Sequence, residues 1–406
     1  MEENSNKKEF WKGTLCGALA VLLVVMIGMT AKNYLPVSKA EQNVANGKSK
    51  IKLLDQLIEE KFLYSDEVDQ ETLEEGAYAG YIEALGDPYT IYRDAEETEK
   101  YYSDVDGEFY GIGVLFSQNT ETKLITAVHV YEDTPAGKAG VRVGDILYEV
   151  DGVDVTDMNL DEVVSLVRGE ENTVVNIVVL RGEKKEKVEM DITREKIQSQ
   201  TVQYEMKEEK IGYIRITEFN KVTYEQFQTA FDELEGQNMK GLIVDVRNNP
   251  GGLLDVVCEI LDQLLPEGKI VYTKDKEENE KTQYSDEEHQ FTKPLCVLAD
   301  QNSASASEIF AGAIQDYGIG TIVGKKTFGK GIVQSVFPIS DGSSVTMTTM
   351  EYYTPNGRNI HKKGIEPDIE VEYQYDETNP DADNQLEAAL EEIRKKLDQG
   401  CRMKKI

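Results

Sequence analysis

The chain has 406 residues, of which 40% are hydrophobic, with 44 basic against 76 acidic side chains and a formal charge of −32. That length and apolar content predict two or three domains with real cores and exclude a disordered chain. The acidic balance argues against nucleic acid as a partner and against adsorption to an anionic membrane surface, since phosphate binding needs clustered Lys and Arg.

Thr14 to Ala31 form an uncharged apolar run of about the length that crosses a bilayer as a helix. Lys7, Lys8 and Lys12 precede it, which predicts a cytoplasmic N-terminus and places everything beyond about Lys32 outside the membrane. A cleaved signal peptide is the alternative, but a cut after Ala31 would put Met29 where a small residue is wanted, so a retained anchor is preferred. Beyond a polar spacer, helix-like apolar spacing predicts a helical N-terminal domain, with the turn-forming "GDPYT", within 33–104. Over 105–196 the pattern changes to short β-rich runs such as "YGIGVLF" and "NTVVNIVVLRG", interrupted by one helix, "NLDEVVSLVRG". Over 197–372 strands and helices alternate, which predicts a mainly parallel sheet covered by helices. Within it the charged stretch 274–290 reads as a solvated loop. Residues 373–406 end the chain with a helical segment and tail, "NQLEAALEEIRKKL". The four cysteines form no disulfide framework, and Cys258 and Cys296 read as small core residues.

In a parallel α/β sheet, ligands gather beyond the carboxyl ends of the strands. "NNPGG" follows one apolar strand and "QNSASAS" another, so both turns are expected on one rim. Ser305 to Glu308 fits a helix capping box, and a cap is the plain reading of that serine. As a nucleophile it would need a base. His129 in a strand, His289 in the charged loop and His361 in a late turn are poor candidates, and no zinc-hydrolase motif is present. Lys330 remains: between two glycines and near Phe328, it could sit where burial lowers its proton affinity. The Ala306 amide at the helix start and Gly251 or Gly252 are candidate oxyanion donors.

The stretch from "SASASE" to "TFGKGIVQ" resembles the active-site region of the carboxyl-terminal processing peptidases, and "LIVDVRNNPGGLLD" and "YYTPNGRNIHKKGIEPDI" extend the resemblance. It implies Ser305 as nucleophile, Lys330 as base and Gln334 as the residue orienting that lysine. Asn302 stands where the family usually has glycine. The segment 105–196 resembles a PDZ domain, implying a carboxylate-binding loop at Tyr110, Gly111, Ile112, Gly113 and Val114. Arg168 resembles an arginine that couples peptide binding to the active site, through a PDZ domain that delivers substrates or holds the protease inactive. The implied architecture is α+β and multidomain: a transmembrane anchor (1–32), the helical domain, the PDZ domain and an α/β core similar to the crotonase/ClpP-like fold. The implied function is a serine endopeptidase in the cell membrane, with extracytoplasmic catalytic domains acting on proteins with accessible, apolar C-termini. No metal or cofactor is implied, and the N- and C-terminal helices could pair in a homo-oligomer. The alternatives are a catalytically silent PDZ scaffold and an acyl-thioester enzyme.

Overall fold

The computed structural model describes residues 39–403 except 121, 132, 380 and 381, with side chains over 50–399. The expected membrane span at 14–31 lies outside these residues. Among the described residues no helix is long and apolar enough to cross a membrane. They divide into two units, the first ending at Gly76 and the second beginning at Ala77. Helix α1 (Lys39–Lys61) leaves Ile51, Leu54 and Leu57 exposed, and α2 (Gln70–Glu83) follows.

In the second unit, β1 (Ile91–Arg93) and α3 (Ala95–Asp106) lead into the PDZ-like segment. Its elements are β2 (Glu108–Gly111), β3 (Val114–Gln118), β4 (Ile125–Val130), α4 (Pro135–Ala139), β5 (Ile146–Val150), β6 (Val153–Asp154), α5 (Leu160–Val167), β7 (Val174–Arg181), β8 (Glu186–Thr193) and β9 (Glu195–Gln198). The sheet order is β3-β4-β5-β7-β8, so β3 is an open edge. Helix α4 goes beyond the single helix expected there. Alternate positions of β7 point inward, and Val175, Ile177 and Val179 are fully buried, as a sheet with one covered face requires.

The core follows with β10 (Val202–Lys207), β11 (Ile211–Ile216), α6 (Thr223–Gly236), β12 (Gly241–Asp245), α7 (Leu254–Asp262), β13 (Gly268–Asp275), β14 (Glu280–Ser285), β15 (Leu295–Ala299), α8 (Ala306–Tyr317), β16 (Gly320–Gly324), β17 (Ile332–Pro338), β18 (Ser344–Tyr353), β19 (Ile369–Glu370) and α9 (Asn384–Met403). One sheet has the order β10-β11-β12-β15-β16-β19, parallel from β11 onward. Every residue of β12 and β15 is buried, as strands covered on both faces must be. Helices α6, α7 and α8 join the core cluster with Ile214, Leu242 and Val297. Helix α9 packs Ala389, Leu390 and Ile393 with Ile211, Ile243, Cys296 and Leu298 in a second cluster. Part of its apolar face is therefore engaged inside the chain. The antiparallel sheet β1-β18-β13-β14, with β17 on β18, contains half of the stretch expected as a loop: β14 pairs with β13 inside 274–290. Cys258 and Cys296 are buried free thiols, each pushed up to about 12 by burial.

Candidate active site

β12 and β15 are parallel neighbours, so the turns that follow them meet at one rim. The Asp300 carboxylate joins them by accepting the Asn248, Asn302 and Ser303 N–H groups, each at 3.0 Å. Asn302 keeps an ordinary backbone, so a left-handed residue is not needed where the family has glycine.

The three alternating serines have different fates. Ser303 and Ser307 are fully buried, and their hydroxyls donate to the Val246 carbonyl (2.8 Å) and the Asn249 carbonyl (2.9 Å). Ser305 is half-buried at φ 55°, ψ −114°, a strained conformation for a residue with a side chain. Only part of the expected capping box forms around its side chain: Glu308 Oε2 accepts the Ser305 N–H at 3.0 Å, while the Glu308 N–H bonds the Ser305 carbonyl at 2.9 Å. The capping role thus falls on the serine's main chain, and the strained turn presents its hydroxyl at the helix start.

Glu308 reaches further than a cap. Its side chain is fully buried and also accepts from the Lys330 N–H (2.8 Å, at the same Oε2), the Gly329 N–H (2.7 Å) and the Thr327 hydroxyl (2.6 Å). Burial pushes its carboxyl above the ordinary range, and these donors pull the other way. One carboxylate therefore ties the main chain of Ser305 to that of Lys330. The Phe328 N–H adds a bond to the Ser303 carbonyl at 3.0 Å.

Burial lowers the proton affinity of the half-buried Lys330, and the Asp87 and Glu308 carboxylates oppose that shift. Its ammonium group lies 4.7 Å over the Tyr89 ring. Tyr89 comes from the "GDPYT" turn, which is held by the Thr90 hydroxyl on Asp87 (2.7 Å) and by the Thr348 N–H on Thr90 (3.1 Å). Gln334 donates to the Thr348 hydroxyl at 3.3 Å, so it supports the strand on which that turn rests.

The two glycines have different positions. Gly251 lies against the serine turn: a methyl added to it would sit 2.8 Å from Ser305 Cβ and 3.0 Å from the Ala306 nitrogen. Its own N–H is taken by Asn249 Oδ1 at 2.8 Å. Gly252 lies under the Phe219 carbonyl, which also accepts the Leu253 N–H at 2.6 Å.

In the PDZ-like segment, Tyr110 is exposed and Ile112 is buried in the domain core, so Ile112 can serve a ligand only through its main chain. The Arg168 guanidinium stacks 4.5 Å over Phe109 and lies 4.0 Å from Asp104 of α3. A groove of ≈ 860 Å³ opens beside Phe109, Tyr110, Val164 and Arg168. Asp262, Asp286 and His289 form the one trio of metal-ligating side chains among the described residues, and Asp262 already accepts the Asp286 N–H at 2.7 Å.

Sequence reading missed Asp87 and Tyr89 beside Lys330, because only the folded chain brings them there. A strained serine, a lysine whose proton affinity burial lowers and the Ala306 amide at a helix start are the kinds of group that serine hydrolase chemistry uses. Residues 210–371 match the model of peptidase family S41, 126–181 that of a PDZ domain, and 25–98 that of the activating protease CtpB N-terminal domain. The carboxy-terminal-processing protease of Bartonella bacilliformis is 37% identical over 75% of this chain and 70% of that one. The carboxyl-terminal-processing protease of Synechocystis sp. is 36% identical over 76% and 74%. The solved photosystem II D1 C-terminal processing protease is 30% identical over 80% and 88%, with a TM-score of 0.47. The chain belongs to the carboxy-terminal processing proteases of peptidase family S41 and is a serine protease.

Proposed function

We propose that Ser305 is the nucleophile and Lys330 the general base of an endopeptidase that cleaves proteins near accessible C-termini. The observation that carries this reading is the single Glu308 oxygen bonded to the main-chain N–H groups of both residues. Neutral Lys330 takes the Ser305 proton as Oγ attacks the scissile carbonyl carbon. The resulting oxyanion is held by the N–H groups of Ala306 and Gly252, since that of Gly251 is already bonded to Asn249. The C–N bond then breaks, the Lys330 ammonium protonates the leaving amine, and water releases the acyl group with Lys330 again as base. Gln334 orients the lysine indirectly, by supporting Thr348 beneath the Asp87–Thr90 turn.

The open edge of β3 and the Gly111–Gly113 loop support capture of an apolar C-terminus as an added strand. The apolar run at 14–31, preceded by three lysines, supports a membrane anchor with extracytoplasmic catalytic domains. The exposed Ile51, Leu54 and Leu57 support pairing of the N-terminal helices between copies.

Casein cleavage by the full chain in detergent tests the mechanism. Wild type is expected to cleave and to bind a fluorophosphonate probe, while Ser305→Ala and Lys330→Ala lose turnover by at least about 10³-fold. Full activity in Ser305→Ala would overturn the assignment. An intact chain that leaves the membrane in carbonate wash would remove the anchor.

A further inference from the structure

The main-chain carbonyls of Ser305 and Lys330 share a partner, as their amides do. Tyr352, on β18, is fully buried, and its hydroxyl lies 2.7 Å from the Lys330 carbonyl and 3.0 Å from the Ser305 carbonyl. Its own N–H donates to the Gly331 carbonyl at 3.1 Å, one residue beyond the lysine. A phenol has one proton, so the hydroxyl is a three-centre donor with its shorter arm on the lysine. Burial pushes the phenol well above its ordinary range, which keeps that proton in place throughout the working pH range.

The backbone needs such a restraint. Lys330 is flanked by Gly329 and Gly331, and a turn so rich in glycine does not fix the lysine's Cα by itself. The Ser305 carbonyl already accepts the Glu308 and Ile309 amides at 2.9 and 3.0 Å, so Tyr352 is not required to satisfy it. What the hydroxyl adds is a direct link between the two turns.

We infer that Tyr352 is a positioning residue for the reaction, holding the nucleophile's turn and the base's turn in register while Glu308 does the same on their amide side. This rests on the Ser305–Lys330 assignment above. Tyr352 touches no substrate and acts only through the geometry of the two residues it bridges.

Tyr352→Phe removes one oxygen and keeps the ring. Its effect is expected in kcat, lowered about 10- to 100-fold with KM within about twofold, because misplacing reacting groups by a fraction of an ångström carries losses of that order. Fluorophosphonate labelling of Ser305 should slow in parallel. Tyr317→Phe is the matched control: it loses a similar bond, to the Lys269 carbonyl at 3.0 Å, away from the dyad. That control is expected to lower Tm comparably with kcat unchanged. A kcat for Tyr352→Phe within twofold of wild type, or an equal loss in Tyr317→Phe, would overturn the inference. Ser305→Ala and Lys330→Ala run alongside, and activity surviving in them would sink the dyad assignment itself. If Tyr352→Phe does not fold, 4-aminophenylalanine at position 352 retains a donor. A kcat within threefold of wild type then supports the role, and a loss of tenfold or more defeats it.

Discussion

In the proposed role of base, Lys330 works only as the free amine, and three neighbours set how much of it is free. Burial favours the neutral form, while Asp87 and Glu308 favour the charged one, as does the face of Tyr89. Because burial dominates, activity should rise with pH along a limb below the ordinary lysine value of about 10.4. Asp87→Asn removes one of the two opposing carboxylates and keeps an oxygen for the Thr90 hydroxyl. The free amine then becomes available at lower pH, so the limb in kcat/KM should move to lower pH. A limb that stayed in place or moved upward would show that Asp87 does not act on the lysine. Ser305 and Lys330 stood out in the sequence as candidates because each sits in a short motif with its own chemistry. Glu308 was legible only as a local cap. Its bonds to Thr327, Gly329 and Lys330 span 19 to 22 residues, and no local pattern records them.

The turn after β12 shows how an element positions the site. Gly251 has φ 110°, a left-handed conformation that L side chains rarely adopt, and its Cα faces the Ser305 turn. In Gly251→Ala the new methyl would press on Ser305 Cβ and on the Ala304 carbonyl, each at 2.8 Å. We expect kcat to fall by about 10²-fold or more, as displacing a nucleophile does, with far-ultraviolet circular dichroism retained. Wild-type turnover in this variant would mean that the turn gives way without disturbing the serine. The two adjacent rim turns were legible because apolar strands ending in Gly-rich or Ser-rich turns leave few topologies open. β14 was not: Glu280, Lys281 and Gln283 are exposed on a sheet edge, and charged edge strands read as loops. Helix α9 was legible as amphipathic, but its partner was not. Arg247, just beyond β12, holds the residue before that helix through paired bonds to Asp383 at 3.0 and 2.7 Å.

Across the second unit, a continuous set of contacts joins the PDZ-like segment to the Gly251–Gly252 turn. Arg168 stacks on Phe109, which leads into the loop at Tyr110–Val114, and faces Asp104 near the end of α3. Next to Asp104, the Val105 carbonyl accepts the Lys221 N–H at 3.1 Å, and Asp104 helps burial hold the Glu218 carboxyl above its ordinary range. Between Glu218 and Lys221 lies Phe219, whose N–H donates to the Gly251 carbonyl at 2.9 Å and whose carbonyl lies against Gly252. This seam was not legible in the sequence, because each of its bonds joins residues from different segments. Were the proposed coupling to run through this seam, it would be a free energy shared by both ends and would act in both directions. A peptide with an apolar C-terminus that stimulates casein cleavage should itself bind more tightly, by the same factor, once Ser305 carries an oxyanion-mimicking phosphonate. Couplings of this kind typically amount to about 5- to 150-fold. In Arg168→Ala both effects should vanish together, as read by stimulated turnover and by peptide titration with and without phosphonate. Loss of stimulation with the binding effect intact would place Arg168 outside the coupling, and retention of both would remove the seam as its route.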